Sequence, residues 1–124
     1  MTPEHANIDL ISSINIADMG ADTAHFHPDV TWHFFNPNAP ELAGAYQGLS
    51  GIAEFFRKVR SYGQGVFNVS PKGAWAVGDE LVVVQTRNRL GDGATAMEFD
   101  VVLVWRIIDG KVREVWDIPA VHAV

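Results

Sequence analysis

The stretch Val101-Val-Leu-Val-Trp-Arg-Ile-Ile-Asp-Gly-Lys-Val-Arg-Glu-Val-Trp-Asp117 decides the fold of this 124-residue chain. Two runs rich in β-branched and aromatic residues flank Asp109-Gly110, a pair that accepts the positive φ angles of a tight hairpin. Upstream, Gly91-Asp-Gly93 and Gly78-Asp79 punctuate the chain in the same way. Strands are therefore predicted over 66–70, 73–77, 80–90, 95–108 and 111–118. The second half of the chain is strand and turn.

The first half has a different rhythm. Ala6, Leu10, Ile14 and Ala17, widened by Ile11, recur at helical spacing and predict a helix over 4–19 that stops at Gly20. A short helix over 22–26, capped by Asp22, precedes the break at His27-Pro28. A strand is predicted over 30–35, a loop over 36–40, and an extended piece over 43–48 laid across a pocket mouth. Ser50 can cap a further helix running to Tyr62, with Ile52, Phe55, Phe56 and Val59 as its apolar stripe and Gly63 and Gly65 as its stop. Helices followed by an antiparallel meander indicate an α+β architecture. It is read as one domain over residues 1–124, its N-terminal helices covering one face of a curved sheet.

Composition narrows the function. Hydrophobic residues are 48% and charged residues 19%, as in globular proteins. Fifteen acidic residues against nine basic ones give a net charge of −6, which argues against a nucleic-acid partner, since phosphate binding draws on clustered Lys and Arg. The densest basic stretch, Arg57-Lys-Val-Arg60, reads as one solvated turn of helix. Without cysteine there is no disulfide, thiol nucleophile or thiolate metal site. No basic-then-apolar leader opens the sequence, and the longest apolar run, 101–105, is too short to span a bilayer, so a cytoplasmic protein without a membrane partner is expected. His25, His27, His33 and His122 lack metal-ligand spacing, and no phosphate loop, nucleophile elbow or dinucleotide fingerprint occurs. Neither a metal nor an organic cofactor is expected.

The order of elements, together with particular residues, resembles the nuclear transport factor 2-like superfamily, in its SnoaL-like branch beside ketosteroid isomerases and limonene epoxide hydrolases. Those residues are His27-Pro-Asp-Val-Thr-Trp-His33, Ala43-Gly-Ala-Tyr-Gln-Gly-Leu-Ser-Gly-Ile-Ala-Glu-Phe-Phe56, Val77-Gly-Asp79, the strand 101–107 and Asp109-Gly-Lys-Val-Arg-Glu-Val-Trp-Asp117. The resemblance covers nearly the whole chain. It implies a cone-shaped sheet (a cystatin-like barrel) lined on one side by three helices, a deep pocket between them, and a homodimer through the outer sheet face. It does not imply one activity, because this frame hosts isomerases, cyclases, hydrolases, dehydratases and domains without known chemistry.

Position by position, the resemblance removes two activities. Phe34 and Leu103 stand where ketosteroid isomerases carry their two acids. Asp117 and Arg87 match two members of the epoxide hydrolase Asp-Arg-Asp triad, but Arg89 replaces the third. What remains resembles the SnoaL-like cyclases, which work with a pocket acid or base. Asp117 is the first candidate: walled in by Trp116 and neighbouring strands it would be desolvated and fitted to proton transfer, whereas in water or paired with Arg113 it would be an ordinary strand-ending aspartate. His33 titrates in the useful range, yet alternation with Trp32 and Phe34 puts it on the outer face unless a bulge intervenes. Arg87 and Arg89 would stabilise negative oxygen if they faced the pocket, or pair with Asp100 and Glu98 if they faced out. Trp32, Phe34, Tyr46, Leu103 and Trp105, and less specifically Trp75, are the candidate pocket walls for a small hydrophobic ligand. The functional expectation is cofactor-free acid–base chemistry on such a molecule, with a non-catalytic binding or interaction domain as the alternative.

Overall fold

The computed structural model describes residues 3–14, 24–62 and 67–121. Two helices and six strands follow in the order α1 (Pro3–Ser13), β1 (Phe26–Phe34), β2 (Gly44–Gln47), α2 (Gly48–Tyr62), β3 (Phe67–Val77), β4 (Leu81–Leu90), β5 (Met97–Ile108) and β6 (Lys111–Pro119). One curved, unclosed sheet contains all six strands in the order β2-β1-β6-β5-β4-β3. Four of its five pairings are antiparallel, and β1 runs parallel to β6. That parallel contact brings the start of the chain against its end and closes the core.

The local signals placed the turns well. Asp109 at φ +52° and Gly110 at φ +76° form the β5–β6 hairpin, and Gly78 at φ +65° turns β3 into β4. Several boundaries differ from the sequence reading. The first helix ends at Ser13, while residues 15–19 of its predicted span, the Gly20 stop, the Asp22 cap, Gly63, Gly65 and His122 lie outside the described residues. Ala6 of its predicted stripe is exposed; Ile8, Leu10 and Ile11 pack against the core and Ile14 is buried in it. Phe26 opens β1 instead of ending a helix. The extended piece at Gly44–Gln47 is the sheet's edge strand, hydrogen-bonded to β1, and not a strap across a mouth. The predicted strands 66–70 and 73–77 are one strand with a register shift between Pro71 and Gly73.

Helix α2 begins at Gly48, two residues before the expected cap. Gly48 holds φ +70°, and a Cβ there would come 3.5 Å from the Pro28 carbonyl. A Gly48→Ala substitution is therefore expected to cost about 1–2 kcal/mol, measured as a lowered urea midpoint with an unchanged m-value. Ile52, Phe55, Phe56 and Val59 are buried as the stripe predicts. Phe55 meets the rings of Trp32, Phe34 and Tyr46 at 4.9–5.9 Å, which fixes the helix to β1 and β2. The opposite sheet face carries Val102 and Ile118 as a cross-strand pair, with exposed Trp75 and Val77 towards the edge.

Candidate functional site

Strand alternation assigns each candidate to a face. On β4, Val82, Val84, Thr86, Asn88 and Leu90 are buried, so Gln85, Arg87 and Arg89 point outward. On β5, Val101, Leu103, Trp105 and Ile107 face the core. On β6 a register shift opposite Arg106 and Ile107 leaves Arg113 as an extra residue, and its guanidinium donates to the Asp29 carbonyl at 2.7 Å. The bulge resets the alternation. Val112 and Val115 are both buried, Trp116 turns to the outer face, and Asp117 turns inward.

Asp117 therefore enters a cavity of about 410 Å³. Its walls are mainly aromatic and aliphatic, drawn from Phe34, Phe55, Phe56, Leu42, Phe99 and Val101, and such a volume suits a small molecule. The polar lining is sparse: Asn88 deep in the cavity, and Asn36, Asn38, Tyr62 and Glu98 elsewhere on its wall. Among the described residues no Arg, Lys or His lines it. The Asn38 amide donates to the Val121 carbonyl at 2.6 Å, holding Pro119 and Val121 against the cavity.

The register explains the electrostatics of Asp117. Its neighbours across the sheet are Phe34 on β1 and Leu103 on β5, the two positions where the resemblance to ketosteroid isomerases would place acids. Loss of hydration among these apolar groups pushes the carboxyl from 3.8 up to about 7. The Trp32 indole beside it pulls partly the other way, although its N–H closes no hydrogen bond of ordinary geometry. An acid of this kind is half protonated near neutrality.

Behind Asp117 lies a smaller chamber of about 20 Å³, close to one water-sized volume. Trp32, Thr86, Asn88, Leu103, Trp105 and Asp117 are among its walls. Thr86 is fully buried and its hydroxyl donates to Asn88 Oδ1 at 2.8 Å. Trp32 and Trp105 are 1% and 2% exposed, cross edge-to-face at 5.6 Å, and keep indole N–H groups without a hydrogen-bond partner.

The remaining candidates sit elsewhere. His33 lies on the outer face, 2.7 Å from Glu114 and stacked on Trp116. Arg87 pairs with Asp100 at 3.3 Å and Arg89 with Glu98 at 3.6 Å, so neither arginine reaches the cavity's depth. Tyr46 packs on Phe55 and donates to the Leu42 carbonyl at 2.7 Å without lining the cavity. Trp75 is exposed on β3. Thr86 and Asn88 were missed, although they share the other face of the strand that displays Arg87 and Arg89. Both arginine pairs are half in water, so Arg87→Ala and Arg89→Ala should each change stability by under about 1 kcal/mol and leave ligand affinity unchanged, checked by urea titration and calorimetry. Among the described residues no three His, Asp or Glu side chains converge as a metal-ligand set, and no helix is long and apolar enough to cross a membrane.

A small α+β pocket protein with a nuclear transport factor 2-like, cystatin-like frame is thus defined. Residues 9–115 match the family model of the SnoaL-like domain, and the chain belongs to that family. No curated protein matches it in sequence. Among solved structures it is similar to TerC, co-crystallised with polyporic acid, at 26% identity over 92% of this chain and 91% of that one, with a TM-score of 0.75. A protein from a soil-derived mobile gene cassette aligns at 19% identity over 96% and 92% of the two chains, with a TM-score of 0.82. A cystatin-like protein of unknown function from Xanthomonas campestris aligns at 21% identity over 99% and 94%, with a TM-score of 0.77.

Proposed function

We propose that this protein carries out cofactor-free proton transfer on a small, largely apolar, carbonyl-bearing molecule, of the isomerase, cyclase or hydratase type. The observation that carries the proposal is the Asp117 carboxyl, raised to about 7, in the wall of a mainly apolar cavity of about 410 Å³. A carboxylate of raised pKa is a stronger base towards a carbon beside a carbonyl than an ordinary one, and the acid it becomes can return the proton elsewhere on the molecule near working pH. Asp117 is the proton carrier, and Phe34, with Phe55 and Phe56, sets the ligand's plane. His33, Arg87 and Arg89 have no part in it. The similarity to a protein crystallised with polyporic acid supports a small-molecule ligand.

Deuterium uptake at the α-carbon of 1-tetralone in D₂O is the test. The proposal expects uptake above the buffer rate, rising with protein concentration. Binding of 1-tetralone without catalysed exchange favours the second reading, a ligand-binding domain, which the mainly apolar lining supports. We further propose a cytoplasmic homodimer joined through the outer face at Val102 and Ile118. Ile118→Glu should then shift the sedimentation coefficient from dimer to monomer.

A further inference from the structure

The cavity and the chamber behind it share Phe56, Phe67, Asn88, Val101 and Asp117 as walls, so the two spaces adjoin along these side chains. The chamber is too small for a ring and large enough for one oxygen. Its polar groups are unusual in kind. Trp32, 1% exposed, keeps an indole N–H that lies beside the Asp117 carboxyl yet closes no hydrogen bond of ordinary geometry, and an indole nitrogen can only donate. Asn88 has its Oδ1 occupied by the Thr86 hydroxyl, which leaves the amide N–H groups for the chamber. Trp105 adds a second unpartnered indole to the same wall. A buried donor whose acceptor is missing or poorly placed is costly, so an oxygen entering the chamber would stabilise this lining.

We propose that the inner chamber is an oxygen subsite. It receives the carbonyl or hydroxyl oxygen of a neutral, otherwise apolar ligand, held by the Trp32 indole N–H and the Asn88 amide. Neutrality follows from the linings: Asp117 is the ionisable residue of the chamber, Asp117 and Glu98 are the acids of the cavity, and no Arg, Lys or His among the described residues lines either to receive an anion. The subsite deepens the proton-transfer reading and rests on it. When Asp117 takes a proton from the α-carbon, the C–H bond breaks and its electron pair moves through the carbon framework onto the oxygen. The enolate oxygen then accepts from N–H groups already in place, and the proton returns to carbon as the carbonyl re-forms. No co-reactant is needed.

The test compares three probes by calorimetry: tetralin, 1-tetralone and 1-naphthoate. The subsite predicts that 1-tetralone binds about tenfold tighter than tetralin, the yield of one hydrogen bond to a buried donor. It also predicts that 1-naphthoate binds at least tenfold weaker than 1-tetralone. In Asn88→Leu and Trp32→Phe the tetralone preference should shrink several-fold, while tetralin affinity holds. Should either variant fail to fold, the wild type suffices: its Trp32 indole proton moves downfield in ¹H–¹⁵N spectra with 1-tetralone and not with tetralin. Equal affinities for tetralin and 1-tetralone with an unmoved indole proton overturn the subsite, while tetralin binding keeps the cavity reading intact. Naphthoate bound as tightly as tetralone overturns the neutral-ligand assignment. Failure of all three to bind removes the ligand cavity and the subsite with it.

Discussion

Asp117→Asn is expected to lower the rate of α-proton exchange by about 10²–10⁴-fold while leaving ligand affinity within a few-fold. Asparagine keeps the shape and the polar volume but cannot carry a proton at neutral pH. In the wild type the exchange rate should rise with pH through a midpoint near 7 and level off about one to two units higher, where the carboxylate form is nearly complete. The same substitution acts on stability in the opposite sense. A folded-state pKa raised from 3.8 to about 7 means that the native protein binds this proton more tightly than the unfolded chain does. Wild-type stability contributed by Asp117 is thus highest below about pH 4, falls as pH rises from 4 to 7, and stays level above 7. At about 1.4 kcal/mol per pH unit the loss has a ceiling of about 4 kcal/mol, lowered by whatever hydration the cavity admits. Asp117→Asn should match the wild type at pH 4 and exceed it at pH 8, by urea titration at both values. Loss of function with gain of stability is the signature of a group kept for chemistry.

Phe55→Ala should have the largest effect on folding, about 3–5 kcal/mol of destabilisation and roughly 10–20 °C in Tm. Phe55 is 1% exposed and lies among the rings of Trp32, Phe34, Tyr46 and Phe56 at 4.9–5.9 Å. Phe55 reaches the rings of both β1 and β2, while Phe56 adds a ring contact to Trp32 on β1 at 5.3 Å. Truncation leaves a void beside the existing cavity, and the surrounding rings cannot collapse into it without opening the cavity wall. Differential scanning calorimetry measures the loss. A conservative Phe55→Leu should recover most of it, because it restores volume without the ring contacts.

The strands and their hairpins were legible because turn chemistry is local: Asp109-Gly110 and Gly78-Asp79 carry the positive φ angles within the pair itself. Phe55 and its stripe were legible for the same reason, since helical spacing is a property of a few turns. The parallel pairing of β1 with β6 was not, because it joins residues more than eighty positions apart and leaves no mark on either strand. Bulges were equally silent. One extra residue at Arg113 decides that Asp117 faces inward with Val115, while plain alternation from Lys111 would have set Arg113 beside it. Of the candidate residues, Asp117 lines the cavity, whereas Arg87 and Arg89 lie on the outer face. Arg87 and Arg89 drew attention by their charge, yet the apolar residues Val82, Val84 and Leu90 already marked the other face as the buried one. Thr86 and Asn88 lie on that face, and their parity was the available signal.

Asp117 titration is the most direct measurement of the central claim, followed through its carboxyl carbon by ¹³C NMR in the ligand-free protein. A midpoint near 7, absent from spectra of Asp117→Asn, is the result expected for a carboxyl held among Phe34, Leu103 and Trp32 in an apolar cavity. A midpoint near 4 would mean a hydrated aspartate, and would contradict both the proton-transfer role and the physical account of the site.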